Sequence, residues 1–207
     1  MNKNVPNILT ISRIICTPLI ILMFLLPIDN GIGVFVALGI YLLGCLTDFF
    51  DGKIARKYNL ITDFGKFMDQ IADKFITTTA MILVLFSGIV CHNWIAILIV
   101  LVVVLRDILV SGIRMYAANL NIVIAADIFG KVKSFFLDIA SMILMLYIGL
   151  YGALELTDAN INLLKIINYV GFSLMVVGAV LSLVSAVNYT VKGARAIKAK
   201  NNNVNEA

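Results

Sequence analysis

The sequence predicts an all-α membrane protein: six transmembrane helices, an interfacial N-terminal segment, and both termini in the cytoplasm. Three observations carry that expectation. Of the 207 residues, 61% are apolar and 14% charged, and the mean hydropathy is +1.02; a water-soluble domain stands nearer half apolar and a quarter charged. Six stretches approach the ~20 apolar residues that cross a hydrocarbon core, at roughly 8 to 27, 32 to 50, 67 to 90, 94 to 115, 133 to 153 and 163 to 190. Threading the chain through these spans gathers Lys3, Arg13, Lys53, Arg56, Lys57, Lys66, Arg114, Lys131, Lys133 and the basic residues from Lys192 onward on one side. The opposite loops offer only Lys165, so the side holding the termini is cytoplasmic.

The elements follow in chain order. Residues 1–7, MNKNVPN, read as an interfacial lead-in, with Pro6 suited to a first helical turn and Asn4 and Asn7 to capping. Arg13 interrupts the start of the first span and no small-residue cleavage site follows it, so the span is expected to stay in the mature protein. Residues 51–66, DGKIARKYNLITDFGK, are predicted to be a cytoplasmic loop joining the ends of the second and third helices. His92 is the only histidine; beside Trp94 on an outer loop, it reads as an interfacial residue without chemistry. Arg106 is expected one to two turns inside the fourth span, where an unpaired guanidinium is costly. The tail from Lys192 reads as a helix end followed by disorder.

No linker, low-complexity run or repeat divides the chain, so residues 1–207 are read as one domain. Cys16, Cys45 and Cys91 lack the spacing of a zinc site or a disulfide framework and are expected to pack as small apolar residues. The net charge of +4 is explained by positive-inside bias and contact with anionic headgroups. Nothing in it calls for a nucleic acid.

An ionisable side chain at membrane depth is costly unless it is paired, hydrated or bound to metal. Asp48 and Asp51 are three residues apart at the end of the second span, and Asp69 and Asp73 four apart at the start of the third, so each pair occupies one helical face. Antiparallel packing of those helix ends brings four carboxylates into one small volume near the cytoplasmic surface. Oxygen-only ligation suits Mg2+ or Mn2+, and a two-metal site leaves room for substrate phosphates. Gly52 and Gly65 allow close approach to the backbone. Ala55 keeps the facing surface open, and Arg56 has the fork geometry for a diphosphate.

The segment LTDFFDGKIARKYNLITDFGKFMDQIADK matches D-x2-D-G-x2-A-R-x8-G-x3-D-x3-D at every fixed position. In this it resembles the signature of the CDP-alcohol phosphotransferases. The resemblance covers essentially the whole chain. It implies six transmembrane helices, a cytoplasmic active site and a homodimer. It also implies two metal ions on Asp48, Asp51, Asp69 and Asp73, with Asp73 as general base, and a CDP site lined by Gly52, Ala55, Arg56 and Gly65. The opening NVPNILTISRIICTP and the segments LRDILVSGIRMYA and FGKVKS are similar to the bacterial phosphatidylglycerophosphate synthase branch of that family. That likeness implies CDP-diacylglycerol as donor, sn-glycerol 3-phosphate as acceptor and a bacterial cytoplasmic membrane. It also implies that Asn7, Thr10 and Arg13 reach the nucleotide, although helix capping explains Asn7 as well.

An acceptor carrying its own phosphate needs fixed cations, and Arg106, Arg114, Lys131 and Lys133 are the candidates. For Arg106 the competing reading is an internal ion pair with Asp107 or Asp138, and for the two lysines plain topological bias. Two other functions stay open on the sequence. One is the same donor with inositol phosphate, serine or phosphatidylglycerol as acceptor. The other is a divalent-cation transporter, against which stand the clustering of acids at one surface and the absence of an inverted repeat.

Overall fold

Long apolar runs separated by short polar breaks fold here as helices. The computed structural model describes residues 5–26, 31–57, 63–120, 128–155 and 157–205; the side chains of 5–11, 48–57, 63–67, 69, 70, 119, 128, 129, 131 and 196–205 lie outside that description. In order, the helices are α1 (Val5–Leu25), α2 (Ile32–Lys57), α3 (Asp63–Phe86), α4 (Asn93–Asn119), α5 (Ile128–Ala153) and α6 (Asp158–Asn205). No strand occurs among the described residues.

Within the described residues, three segments are long and apolar enough to cross a membrane: Asn93–Ala118, Val132–Ala153 and Asp158–Arg195. Shorter apolar stretches lie at Ser12–Leu25 and Ile32–Thr47. Along α4, Leu98, Leu101, Leu105 and Ile108 recur on one face and are exposed, while Val100, Val103 and Val110 are buried on another. A helix apolar on every side suits hydrocarbon and not water.

Two sequence expectations are corrected. Most of residues 51–66 is helical: α2 continues through Lys57 and α3 begins at Asp63. The run KIARK contains good helix formers, and extending an existing helix is far easier than nucleating a new one. For the same reason α6 runs on through AIKAK to Asn205 instead of ending near Lys192. Arg106 lies thirteen residues from either end of α4, about 20 Å at 1.5 Å per residue, at the middle of that helix.

The helices pack as two trios. α1 lies against both α2 and α3, whereas direct contact between α2 and α3 is sparse; α6 packs along α5 and more lightly on α4. α5 joins the trios by touching α2 and α3, and α3 also meets α4. The core where they meet includes Ile20, Tyr41, Ile76, Met81, Val84, Leu144 and Met145.

Small residues set the close approaches. A Cβ added to Gly171 or Gly178 of α6 would lie 2.8 Å or 2.7 Å from the side chain of Leu144 or Leu137 on α5, so the two backbones pack where larger residues cannot. Gly31 combines a φ of +69° with a Cβ position only 2.4 Å from the Gly149 carbonyl oxygen, which excludes every other residue type. At the turn before α4, His92 adopts a left-handed conformation and its ring stacks on Phe172 at 5.5 Å. Buried Asn168 holds that turn, accepting the Cys91 amide at 3.1 Å and donating to the Ile89 carbonyl at 3.4 Å.

Candidate active site

The register of α2 against α3 fixes the levels of the four aspartates. Gly44 of α2 meets Ile76 of α3, where an added Cβ would stand 2.5 Å from the Ile76 Cδ1. Gly44 lies thirteen residues before the end of α2 and Ile76 thirteen after the start of α3, so the two helices run antiparallel from their short connection. Asp51 precedes Lys57 by six residues and Asp69 follows Asp63 by six; Asp48 and Asp73 stand nine and ten residues away on the same count. At 1.5 Å per residue, each cross-helix pair shares a level to within about 2 Å.

Helical periodicity supplies the face. Asp48 and Asp51 follow Gly44 by four and seven residues, and Asp69 and Asp73 precede Ile76 by seven and three. These offsets keep all four positions on the faces that meet at Gly44 and Ile76.

The side chains of Asp48, Asp51 and Asp69 lie outside the described residues, as do those of Asn7, Thr10, Ala55, Arg56 and Lys131. Their backbones, with those of Gly52 and Gly65, fall in α1, α2, α3 or α5. Asp73 is half-buried. Among the described residues no three His, Cys, Asp or Glu side chains come together. The fit to divalent metal therefore rests on the chemistry of the donor set and its register. Four hard carboxylates at two matched levels suit oxygen-ligated cations, and no softer donor stands in the set.

A second polar cluster lies where α4, α5 and α6 meet. Arg106 is buried, and its Nη1 donates to Asp107 Oδ1 at 2.6 Å. Its Nε donates to the Ser182 carbonyl at 3.1 Å and its Nη2 to Ser185 Oγ. Buried Lys133 of α5 pairs with the same Asp107 carboxylate. Ser182 Oγ is buried beside them with no hydrogen-bond partner in the structure. From α3, Lys74 donates to Ser111 Oγ and to the Asp107 carbonyl, tying this cluster to the helix that carries Asp73.

Arg114 stands apart, donating to Tyr189 Oη at 2.9 Å with its guanidinium 5.5 Å from that ring. The structure thus brings Arg106 and Lys133 together through Asp107. Of the two ion-pair partners weighed for Arg106, it shows Asp107, while Asp138 accepts hydrogen bonds from Tyr41 and Thr77. Ser182, Ser185 and Tyr189 are contributions the sequence reading missed. Their signal was a polar spacing of three and four along one face of an apolar span.

The described residues offer no evident covalent nucleophile. Cys16, Cys45 and Cys91 are half-buried. Partial burial pushes the Cys91 thiol above its ordinary value, which lowers its thiolate content at neutral pH.

The profile of the CDP-alcohol phosphatidyltransferase family matches residues 3–184. The chain belongs to that family. Among relatives, this CDP-alcohol phosphatidyltransferase is 40% identical over 146 residues to the CDP-diacylglycerol--glycerol-3-phosphate 3-phosphatidyltransferase of Rickettsia felis, covering 70% of this chain and 77% of the relative. It is 34% identical over 191 residues to proteins of the same name from Shigella flexneri serotype 5b and Escherichia coli K12, covering 91% of this chain and 94% of each. Helices α2 and α3, which carry the four aspartates, fall wholly within the family match, as do Arg106, Asp107 and Lys133.

Proposed function

We propose that this family member transfers a phosphatidyl group from CDP-diacylglycerol to sn-glycerol 3-phosphate, giving phosphatidylglycerophosphate and CMP. The observation that carries the reading is the register of α2 and α3, which sets two acidic pairs at matched levels on facing helices. The activity named for relatives over nine-tenths of the chain supplies the substrates. The protein is read as a homodimer in a bacterial cytoplasmic membrane, spanning it six times with both termini and the aspartates on the cytoplasmic side. The basic residues at the connections beside α2, α3 and α5 support that sidedness.

Asp48, Asp51, Asp69 and Asp73 hold the divalent metal, and Gly52, Ala55, Arg56 and Gly65, with Asn7 and Thr10 from α1, form the CDP site. Two ions of Mg2+ or Mn2+ supply neutralisation of the diphosphate and of the charge that develops on the leaving group. Asp73 accepts the proton of the glycerol phosphate hydroxyl as that oxygen bonds to the phosphorus bearing diacylglycerol. The bond from this phosphorus to the CMP oxygen breaks, and its electron pair leaves with CMP. Arg106, Arg114, Lys131 and Lys133 hold the acceptor phosphate, which competes with Asp107 for the first and last of these cations. Without a covalent nucleophile in evidence, transfer is direct.

The test is CMP release by detergent-purified protein given CDP-diacylglycerol and Mg2+, with and without sn-glycerol 3-phosphate. Release that requires the acceptor, disappears with EDTA and is lost in Asp73→Asn supports the assignment. Release only with inositol phosphate, serine or phosphatidylglycerol moves the protein to another acceptor, and metal flux in proteoliposomes without any CMP release makes it a transporter.

A further inference from the structure

The four-aspartate reading leaves the half-buried carboxylate of Asp138 unused. Asp138 lies on α5 within the apolar segment Val132–Ala153, where a carboxylate is costly. Its Oδ1 accepts a hydrogen bond from Tyr41 Oη of α2 at 2.9 Å and another from Thr77 Oγ1 of α3, also at 2.9 Å. Tyr41 is fully buried. One oxygen atom on a third helix therefore ties together two helices that make few contacts of their own.

The two donors belong to the faces that carry the acidic pairs. Tyr41 precedes Asp48 by seven residues, two turns along α2, and Thr77 follows Asp73 by four, about one turn along α3. Both donors share a helix face with their aspartate and stand deeper in the bundle, on the far side of the Gly44 and Ile76 contact from Asp51 and Asp69. The apolar contact sets how closely α2 and α3 approach. The hydrogen bonds are directional and set how far one helix slides or turns against the other.

We propose that Asp138 is a positioning residue, whose carboxylate clamps Tyr41 to Thr77 and so fixes the level and rotation of the two aspartate pairs that hold divalent metal. The inference rests on the phosphatidyl-transfer reading above. A clamp made only for stability would be expected to use apolar side chains, since even a half-buried carboxylate adds a desolvation cost that packing does not. The cost is accounted for where a slip of one residue, about 1.5 Å, would take the metal ligands out of register.

The experiment measures Mn2+ binding by the loss of the free-ion electron paramagnetic resonance signal, with thermal unfolding in the same detergent, for wild type, Tyr41→Phe, Thr77→Val, Thr77→Ser, Asp138→Asn and Asp138→Leu. Loss of a hydroxyl or of the carboxylate is expected to weaken Mn2+ binding by about 10-fold, the usual effect of removing a group that orients metal ligands. Thr77→Ser keeps the hydroxyl and is expected to bind as wild type. CMP release should then need correspondingly more Mn2+ while the KM for glycerol 3-phosphate stays at its wild-type value.

Unchanged Mn2+ affinity in Tyr41→Phe and Thr77→Val, with or without a lower unfolding temperature, overturns the proposal, and these two mild variants decide it if Asp138→Leu does not fold. A wild type that neither binds Mn2+ nor releases CMP overturns the phosphatidyl-transfer reading and this inference with it. An active wild type with unaltered variants overturns the inference alone.

Discussion

Asp107 shows how much one side chain holds in place. Its carboxylate meets both Arg106 and Lys133, two cations buried in apolar helices. Asp107→Asn leaves both without a full counter-charge, and removing one partner of a buried ion pair costs roughly 3–5 kcal/mol; a matching fall in the unfolding temperature in detergent is expected. Arg114 is more exposed and is held by Tyr189, so its truncation should spare the fold. Arg114→Ala is expected to raise the KM for glycerol 3-phosphate about 10-fold, the worth of one hydrogen bond to a charged group at the low end of its range, with kcat little changed. Steady-state kinetics over a range of acceptor concentrations checks this.

The site was legible at this scale in proportion to its chemistry. Carboxylates and guanidinium groups in apolar runs advertise themselves because hydrocarbon penalises them. Serine costs little in a helix inside a membrane, so Ser182 and Ser185 are marked in the sequence only by their spacing, and their contact with Arg106 only by the packing of α6.

At the level of helices, the contact of α5 with α6 depends on absent side chains. Gly178→Val places methyl groups where Leu137 already stands, and overpacking of this kind costs about 1–3 kcal/mol. Gly88 is the control: nothing lies within 4 Å of its Cβ position, although its φ of +70° calls for a small residue. Thermal unfolding should therefore fall further for Gly178→Val than for Gly88→Asn, since asparagine tolerates the left-handed region.

Among the described residues each apolar run of the sequence falls in a helix, in the order expected, but the helix ends lie elsewhere than the runs suggest. Apolar content marks where a helix meets hydrocarbon and is silent on where it stops. The charged runs KIARK at the end of α2 and AIKAK in α6 resemble loop and tail by composition, yet they carry helix formers attached to an existing helix. That correction improves the acidic site, because it sets Asp51 and Asp69 inside regular helices whose register can be counted.

For the whole molecule, threading is the property to test. With its own cysteines replaced, Asn202→Cys is expected to react with a membrane-impermeant maleimide in inside-out vesicles, and Ser87→Cys only in right-side-out ones. Labelling of both from one side would overturn the three crossings threaded between them. The paired trios joined by α5 were not legible in the sequence, because contacts such as Tyr41 with Asp138 span 97 positions, and no local pattern records which helix lies beside which.

Helix α6 is 48 residues long, roughly 70 Å of continuous rod against a hydrocarbon layer of about 30 Å. About fourteen residues beyond Val191, some 20 Å, therefore stand clear of its apolar part as a stiff mast. A fluorescent reporter fused after Ala207 would be carried on that mast and not on a loose tether. Its polarisation should decay with the slow tumbling of the whole detergent particle. Inserting a pair of glycines near Ala199 should free the reporter to reorient within nanoseconds, as a flexible joint does. The same stiffness makes the tail a lever: a force applied at its tip would bear directly on the turn of α6 where Ser182 and Ser185 grip Arg106.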